Sequence, residues 1–291
     1  MGNFIIEDLK REWNKPENGL IKIILINVII FVSVSIIKVI SQIFGFGSLF
    51  QSFISSLMLP SDFKQFIFQP WSLISYFFLH QGFSHILWNM LFLYWFGKII
   101  TENLGNNSLI SLYIIGGIIG GLSYMAIFNI IPFYYDRIES SLMLGASAGV
   151  FSIVIGSATL IPNYTFYLLF LGPVRIKYIA LFYFLISFFD ITGQNAGGEI
   201  AHIGGAVIGY IFIKQLQNGN NMGEPIIKIL SFIKNLKFEK NAKSNNYSKE
   251  TISNNSEQDE VDFILDKISK SGYSSLTKEE KEKLFNLSNK K

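Results

Sequence analysis

The chain of 291 residues has three histidines, His80, His85 and His202, and no cysteine. A thiolate nucleophile, a thiolate metal site and a disulfide framework are therefore excluded. One pairing that could still do covalent chemistry is a serine hydroxyl with an imidazole as its base. Ser147 is the candidate hydroxyl. It lies in Gly145-Ala146-Ser147-Ala148-Gly149, where a polar loop turns into an apolar helix. Such a run by itself is a common packing surface between membrane helices. With His202 nearby it becomes a candidate nucleophile, the imidazole taking the serine proton and then protonating the leaving amine. The tetrahedral oxyanion would need donors aimed at it. His85 and Asn89 stand at i and i+4, on one helix face and about 6 Å apart along the axis. Both can donate from their side chains, and the backbone N–H of Ser147 is a third donor. No carboxylate is obviously available to orient His202, with Asp190 the candidate considered, so the catalytic unit reads as two residues.

The elements that must position these residues are apolar blocks. Half of the chain is hydrophobic, and those residues gather near 20–43, 83–100, 107–131, 147–161, 173–190 and 199–215. Most blocks approach the ~20 residues needed to cross ~30 Å of hydrocarbon. We expect an all-α, polytopic membrane protein with six transmembrane helices. The first block is too long for a cleavable signal peptide, and no small-x-small cleavage pattern follows it. Lys10, Arg11 and Lys15 precede it, and the C-terminal tail is rich in lysine, so both ends are expected in the cytoplasm. Parity then puts the starts of spans 2, 4 and 6 on the outer side. All three histidines and Ser147 fall at those starts, by span order alone. Lys98, Arg175 and Lys177 fall inside, Lys64 and Arg137 outside.

The rest divides in order. Residues 1–19 form a cytoplasmic segment and 20–216 the membrane domain. Residues 44–82, with Phe53, Phe63, Phe68 and Trp71, have the composition of a segment lying in the membrane interface. A turn over Thr101–Ser108 separates spans 2 and 3. The glycines of Gly116-Gly117-x-x-Gly120-Gly121 in span 3, and Gly205 and Gly209 in span 6, allow close helix approach. A short polar turn covers 191–199. Residues 217–258 read as a flexible linker. The last segment, 259–291, reads as a small cytoplasmic helical hairpin, with Gly272 as a helix stop and Thr277-x-x-Glu280 as a capping box.

Taken together these residues resemble the rhomboid family of intramembrane serine proteases. The matching residues are His80-x4-His85-x3-Asn89 with Phe96-Gly97, then Gly145-x-Ser147, then Ala201-His202-x-Gly204-Gly205-x3-Gly209. The resemblance covers about residues 20–215 and implies a six-helix rhomboid-like bundle. It implies Ser147 and His202 as a catalytic dyad, and His85 and Asn89 lining the oxyanion site. Phe151, one turn below Ser147, matches an aromatic that packs against the base. Span 5 and the following turn would gate access for a transmembrane substrate. The tail is similar to C-terminal extensions of rhomboids from Bacteroidetes-type bacteria, which implies a bacterial cytoplasmic (inner) membrane. The active site would open to the outer face. His80 is expected to hydrogen-bond the first loop and shape the water-accessible cavity; Gly145 and Gly205 are read as packing residues near the site.

The expected partners are transmembrane protein substrates and the lipid bilayer. No nucleic acid, cofactor or metal is implied. The leading alternative is a catalytically silent member of the same fold that binds or escorts membrane proteins. Three histidines could in principle hold zinc, but no glutamate accompanies them in a His-Glu-x-x-His pattern. No inverted repeat points to a transporter.

Overall fold

The structure, a computed structural model, describes residues 7, 10–15, 18–168 and 172–232, and further on Ile264, Lys267, Thr277 and Glu280. It divides into two compact units, Met1–Ile229 and Leu230–Lys291. The first is a helical bundle of α1 (Gly19–Ile43), α5 (Phe83–Ile130), α6 (Ser147–Leu160), α7 (Ile176–Phe189) and α8 (Ala196–Gln217). Among the described residues, α1, α5 and α8 are long and apolar enough to cross a membrane, and α6 and α7 are shorter apolar helices. The 48-residue α5 is interrupted at Gly105, whose φ of 79° and ψ of 171° are non-helical. The expected turn at Thr101–Ser108 is therefore a single residue in the left-handed region of φ, which glycine occupies without steric cost. With that break the bundle has six apolar helical segments, the all-α membrane fold that the hydropathy implies.

α6 is the central helix. Ten of its fourteen residues are buried, and at ~1.5 Å per residue it is only about 21 Å long. Its buried serines find backbone acceptors: Ser152 Oγ donates to Leu112 O at 2.9 Å and Ser157 Oγ to Phe96 O at 3.0 Å. Its closest neighbour is α8. A Cβ on Gly205 would collide with Ala148 O, and one on Gly209 with Ser152 O. On the other side of the seam, a Cβ on Gly149 would stand 2.7 Å from Tyr113 O of α5.

The first loop is folded. It comprises α2 (Gly47–Leu57), β1 (Leu59–Pro60), α3 (Phe63–Phe68), α4 (Ser72–Ser75) and a 3₁₀ turn at Tyr76–Phe78. Side chains tie it together: Trp71 Nε1 donates to Ser56 O at 2.9 Å and Ser75 Oγ to Leu57 O at 2.7 Å. Its outward aromatics, including Phe68 (81% exposed), leave the bundle surface apolar. β1 pairs antiparallel with β2 (Leu142–Met143), and Asn129 Nδ2 donates to Ser61 O at 2.7 Å. The pairing anchors the loop to the segment that leads into Ser147, and the Asn129 bond anchors it to the end of α5.

Two boundaries differ from the sequence reading. Residues Thr165–Leu168 (β3) and Gly172–Arg175 (β4) form an antiparallel hairpin, so the fifth helix starts at Ile176 and not near 173. Gly172, at φ 68°, begins the returning strand and Pro173 follows it. The sixth helix starts at Ala196 instead of Ile200. Gly197 and Gly198 disfavour a helix by propensity. Gly197, however, lies flat on Tyr124, where a Cβ would be 2.7 Å from Cε2, so packing between helices sets this start.

Beyond α8, residues 224–232 are helical and Ser111 Oγ donates to Gly223 O at 3.3 Å. In the second unit Thr277 N donates to Glu280 Oε2 at 2.7 Å and Glu280 N to Thr277 Oγ1 at 3.3 Å, the reciprocal bonds of a capping box. Apart from Ile264 and Lys267, the remainder of the expected hairpin over 259–291, Gly272 included, lies outside the described residues.

The α6–α8 seam generates a test. Gly205→Leu, forced against a backbone carbonyl, is expected to destabilise the bundle by about 1–3 kcal/mol. The measurement is the unfolding midpoint in mixed detergent micelles by circular dichroism. Gly82→Ala, where a Cβ meets nothing within 4 Å, is expected to leave that midpoint in place.

Candidate active site

Ser147 is the first residue of α6, and the loop before it is tightly held. Gly145 N donates to Tyr76 O at 3.0 Å. Gly145 has φ 133°, and a Cβ there would stand 2.9 Å from His85 Cε1, 3.0 Å from His85 Nε2 and 3.5 Å from Ser147 Oγ. Glycine is thus required twice at this position, by conformation and by the His85 ring that lies over it. His85 Nε2 and Ser147 Oγ thus flank the same point above Gly145. On its far side His85 Nδ1 accepts from Gln81 N–H at 3.4 Å. With Nδ1 as the acceptor, Nε2 of the neutral ring carries the hydrogen, on the Gly145 side.

Asn89, one turn on from His85, is 6% exposed. Its Nδ2 donates to His85 O at 2.9 Å, which uses one of its two N–H groups and leaves the other. His80 sits ahead of α5 with its ring 5.1 Å from that of His85, edge-on. Neither His80 ring nitrogen has a hydrogen-bond partner. The polar group beside the ring is the Phe78 backbone of the first loop, and the ring also lines the cavity. Burial, helped by the neighbouring His85, pushes its imidazole down to about 4.

His202 comes from α8. Its ring stacks on Phe151 of α6, with centroids 4.2 Å apart and planes within 8°. Phe151 meets Tyr183 of α7 at 5.1 Å, and Tyr183 meets Phe92 of α5 at 4.5 Å. Four helices are joined by this one run of rings. Ser147, His85, Asn89, His80 and His202 all line a cavity of about 1330 Å³. Ser147 Oγ makes no hydrogen bond to His202 in this structure; the two share the cavity without being joined. Gly205, one turn below His202, is spent on the helix seam.

Two residues in contact with His202 escaped the sequence reading. Glu199 Oε2 lies 3.1 Å from His202 Nδ1, with side chains 12% and 14% exposed respectively. Ser187 Oγ of α7 lies 3.1 Å from the same nitrogen. The expected absence of a carboxylate beside His202 is therefore corrected, and the candidate once considered, Asp190, packs instead against Gly193. The cause is the helix boundary. A helix starting at Ile200 leaves Glu199 in a turn, whereas a helix starting at Ala196 puts it three residues before His202 on one face. The i, i+3 spacing of Glu199 and His202 was the available signal.

Comparison with known proteins identifies the family. The family described as rhomboid domain matches residues 68–217, just over half of the chain. A family of unknown function (DUF6576) matches residues 247–290. The chain is 29% identical over 157 residues to RHOMBOID-like protein 12, mitochondrial, of Arabidopsis thaliana, a match covering 51% of this chain and 47% of that protein. The chain thus spans about half the length of the curated relative it matches. Six apolar helical segments, a small-residue seam between α6 and α8, and a serine and histidine on one cavity coincide with a family match over most of that bundle: this multi-pass membrane protein belongs to the rhomboid family.

Proposed function

We propose that the chain is an intramembrane serine endopeptidase that cleaves transmembrane segments of other membrane proteins, with Ser147 as nucleophile and His202 as base. The observation that carries this reading is the position of the His202 ring, stacked on Phe151 one turn from Ser147 and facing the cavity that Ser147 lines. In the reaction, the Ser147 O–H bond breaks as its oxygen bonds to the scissile carbonyl carbon, and the proton passes to His202 Nε2. The carbonyl electron pair becomes the oxyanion. Nε2–H of His85, the spare N–H of Asn89 and the Ser147 backbone N–H are the donors for it. On collapse the carbon–nitrogen bond breaks and the His202 proton leaves with the amine; water then releases the acyl group from Ser147 by the same base. The Ser147–His202 hydrogen bond forms with substrate bound, since catalytic hydrogen bonds are often long until then.

Family membership supports a role of this kind, because rhomboids are generally intramembrane serine proteases. A transmembrane segment must unwind to present a peptide bond to Ser147. α7, with Phe182 and Phe189 outward and the Phe92–Tyr183 pair tying its ring run to α5, is the element that opens for it. The basic N-terminal residues support a cytoplasmic N-terminus and a site open to the outer face of a bacterial inner membrane. The second reading, a silent rhomboid-like binding or escort factor, is favoured by one observation, that Ser147 Oγ makes no hydrogen bond to His202.

Full-length protein reconstituted in liposomes with a model transmembrane substrate separates the two. Wild type is expected to cleave it. Ser147→Ala and His202→Ala are each expected to lower kcat by more than about 10³-fold; cleavage that persists in Ser147→Ala would sink the proposal. Asn89→Ala is expected to lower kcat by about 10²–10³-fold, the loss of one oxyanion donor. An unchanged kcat in that variant removes Asn89 from the oxyanion site.

A further inference from the structure

Glu199 is a carboxylate in the interior of a membrane protein, and such groups are costly unless paired. Its side chain is 12% exposed. Its partners are the Nδ1 of His202 at 3.1 Å, the Nδ2 of Asn195, which donates to Oε1 at 3.1 Å, and the Ser187 hydroxyl. Ser187 Oγ adjoins the same imidazole nitrogen. No lysine or arginine pairs with Glu199 among the described residues; the only group beside it that can become cationic is His202 itself. A carboxylate accepts hydrogen bonds and cannot donate them. The nitrogen between them must therefore be Nδ1–H, and Nε2 is left with its lone pair.

We infer that Glu199 is the positioning residue of the base, completing a Ser147–His202–Glu199 unit in which the carboxylate holds Nδ1–H and aims an unprotonated Nε2 into the cavity. This rests on the reading of Ser147 and His202 as nucleophile and base. Its energetic role follows from the charge balance. Before reaction the imidazole is neutral and its contact with Glu199 is a hydrogen bond. When Ser147 gives up its proton the ring becomes an imidazolium beside an anion, in a site walled by Phe151 and Tyr183. The contact strengthens as the transition state forms, and only such an interaction raises kcat. Ser187 cannot replace it. Its hydroxyl is neutral and belongs to α7, whereas Glu199 and His202 share the first turns of α8 and move together.

The titratable groups facing His202 are few. They are Glu199 on α8 itself, His85 on α5 and the Tyr183 phenol on α7; α6 presents Phe151 and Ser147. Glu199→Gln keeps the shape and removes the charge, so its effect on His202 protonation is interpretable.

The test uses two readouts on full-length protein in detergent micelles. The first follows the His202 protonation midpoint by ¹⁵N-histidine NMR without substrate, with His202→Ala to assign the resonance. Glu199→Gln is expected to lower the midpoint by about 1–3 pH units. The second is cleavage of a model transmembrane substrate. Glu199→Gln is expected to lower kcat by about 10²-fold or more with KM little changed, and to move the acid limb of the kcat/KM profile to lower pH. Glu199→Asp is expected to recover part of the lost kcat. A midpoint that stays in place overturns the inference whatever the activity. A shifted midpoint with an unchanged kcat overturns it too. Failure of the protease reading itself looks different: wild type does not cleave, or Ser147→Ala still does, while the midpoint still reports the Glu199–His202 coupling.

Discussion

The contact between α6 and α8, backbone against backbone, is the constraint on which the rest of the bundle depends. Between helices in a bilayer there is little hydrophobic driving force, because lipid tails are as apolar as leucine. Association relies on dispersion and close fit, and the fit here is set by Gly205 and Gly209 against the carbonyls of Ala148 and Ser152. That seam brings the helix that begins with Ser147 to the helix that carries His202. It also buries the short α6 at the centre, which is why its serines bond to carbonyls of α5.

Polar groups at the end of this seam survive because each is held by a specific neighbour. The His202 ring has Phe151 on its face and Glu199 and Ser187 at Nδ1. His85 has Gln81 N–H at Nδ1 and Gly145 beneath its Nε2 edge. Asn89 is tied to the His85 carbonyl. Gln81, Glu199 and Ser187 engage the two Nδ1 atoms. The free N–H of Asn89 and the two Nε2 positions remain for whatever occupies the space. A space with its donors and acceptor already oriented reorganises little when charge develops within it.

The first loop acts as the outer wall of this arrangement. Its helices are too short to be stable alone, and tertiary ties replace what propensity lacks. Trp71, Ser75 and Asn129 close backbone carbonyls within and beneath the loop. Tyr76 donates to Gly117 O at 2.6 Å, and its own carbonyl accepts from Gly145 N. The loop, α5 and the turn before Ser147 are thus coupled through one tyrosine. Ser72 Oγ and the His80 ring nitrogens, buried without a well-formed hydrogen bond, are exceptions to this pattern.

Much of this was legible in the sequence because it is written in local periodicity. Apolar block length gave the spans, and block order put His80, His85, Ser147 and His202 at one end of the bundle. The glycines at 205 and 209, four apart beside His202, marked the seam, and Thr277-x-x-Glu280 marked a cap. The tertiary structure decided what depends on a neighbour. The start of α8 at Ala196 follows from Gly197 lying on Tyr124, and that start alone brings Glu199 onto the face of His202. The hairpin Thr165–Arg175 delays α7 until Ile176. The break in α5 is confined to Gly105. Hydropathy reports whether a segment prefers lipid, a property summed over its own residues. A helix boundary and a hydrogen-bond partner are instead set by atoms that other segments supply.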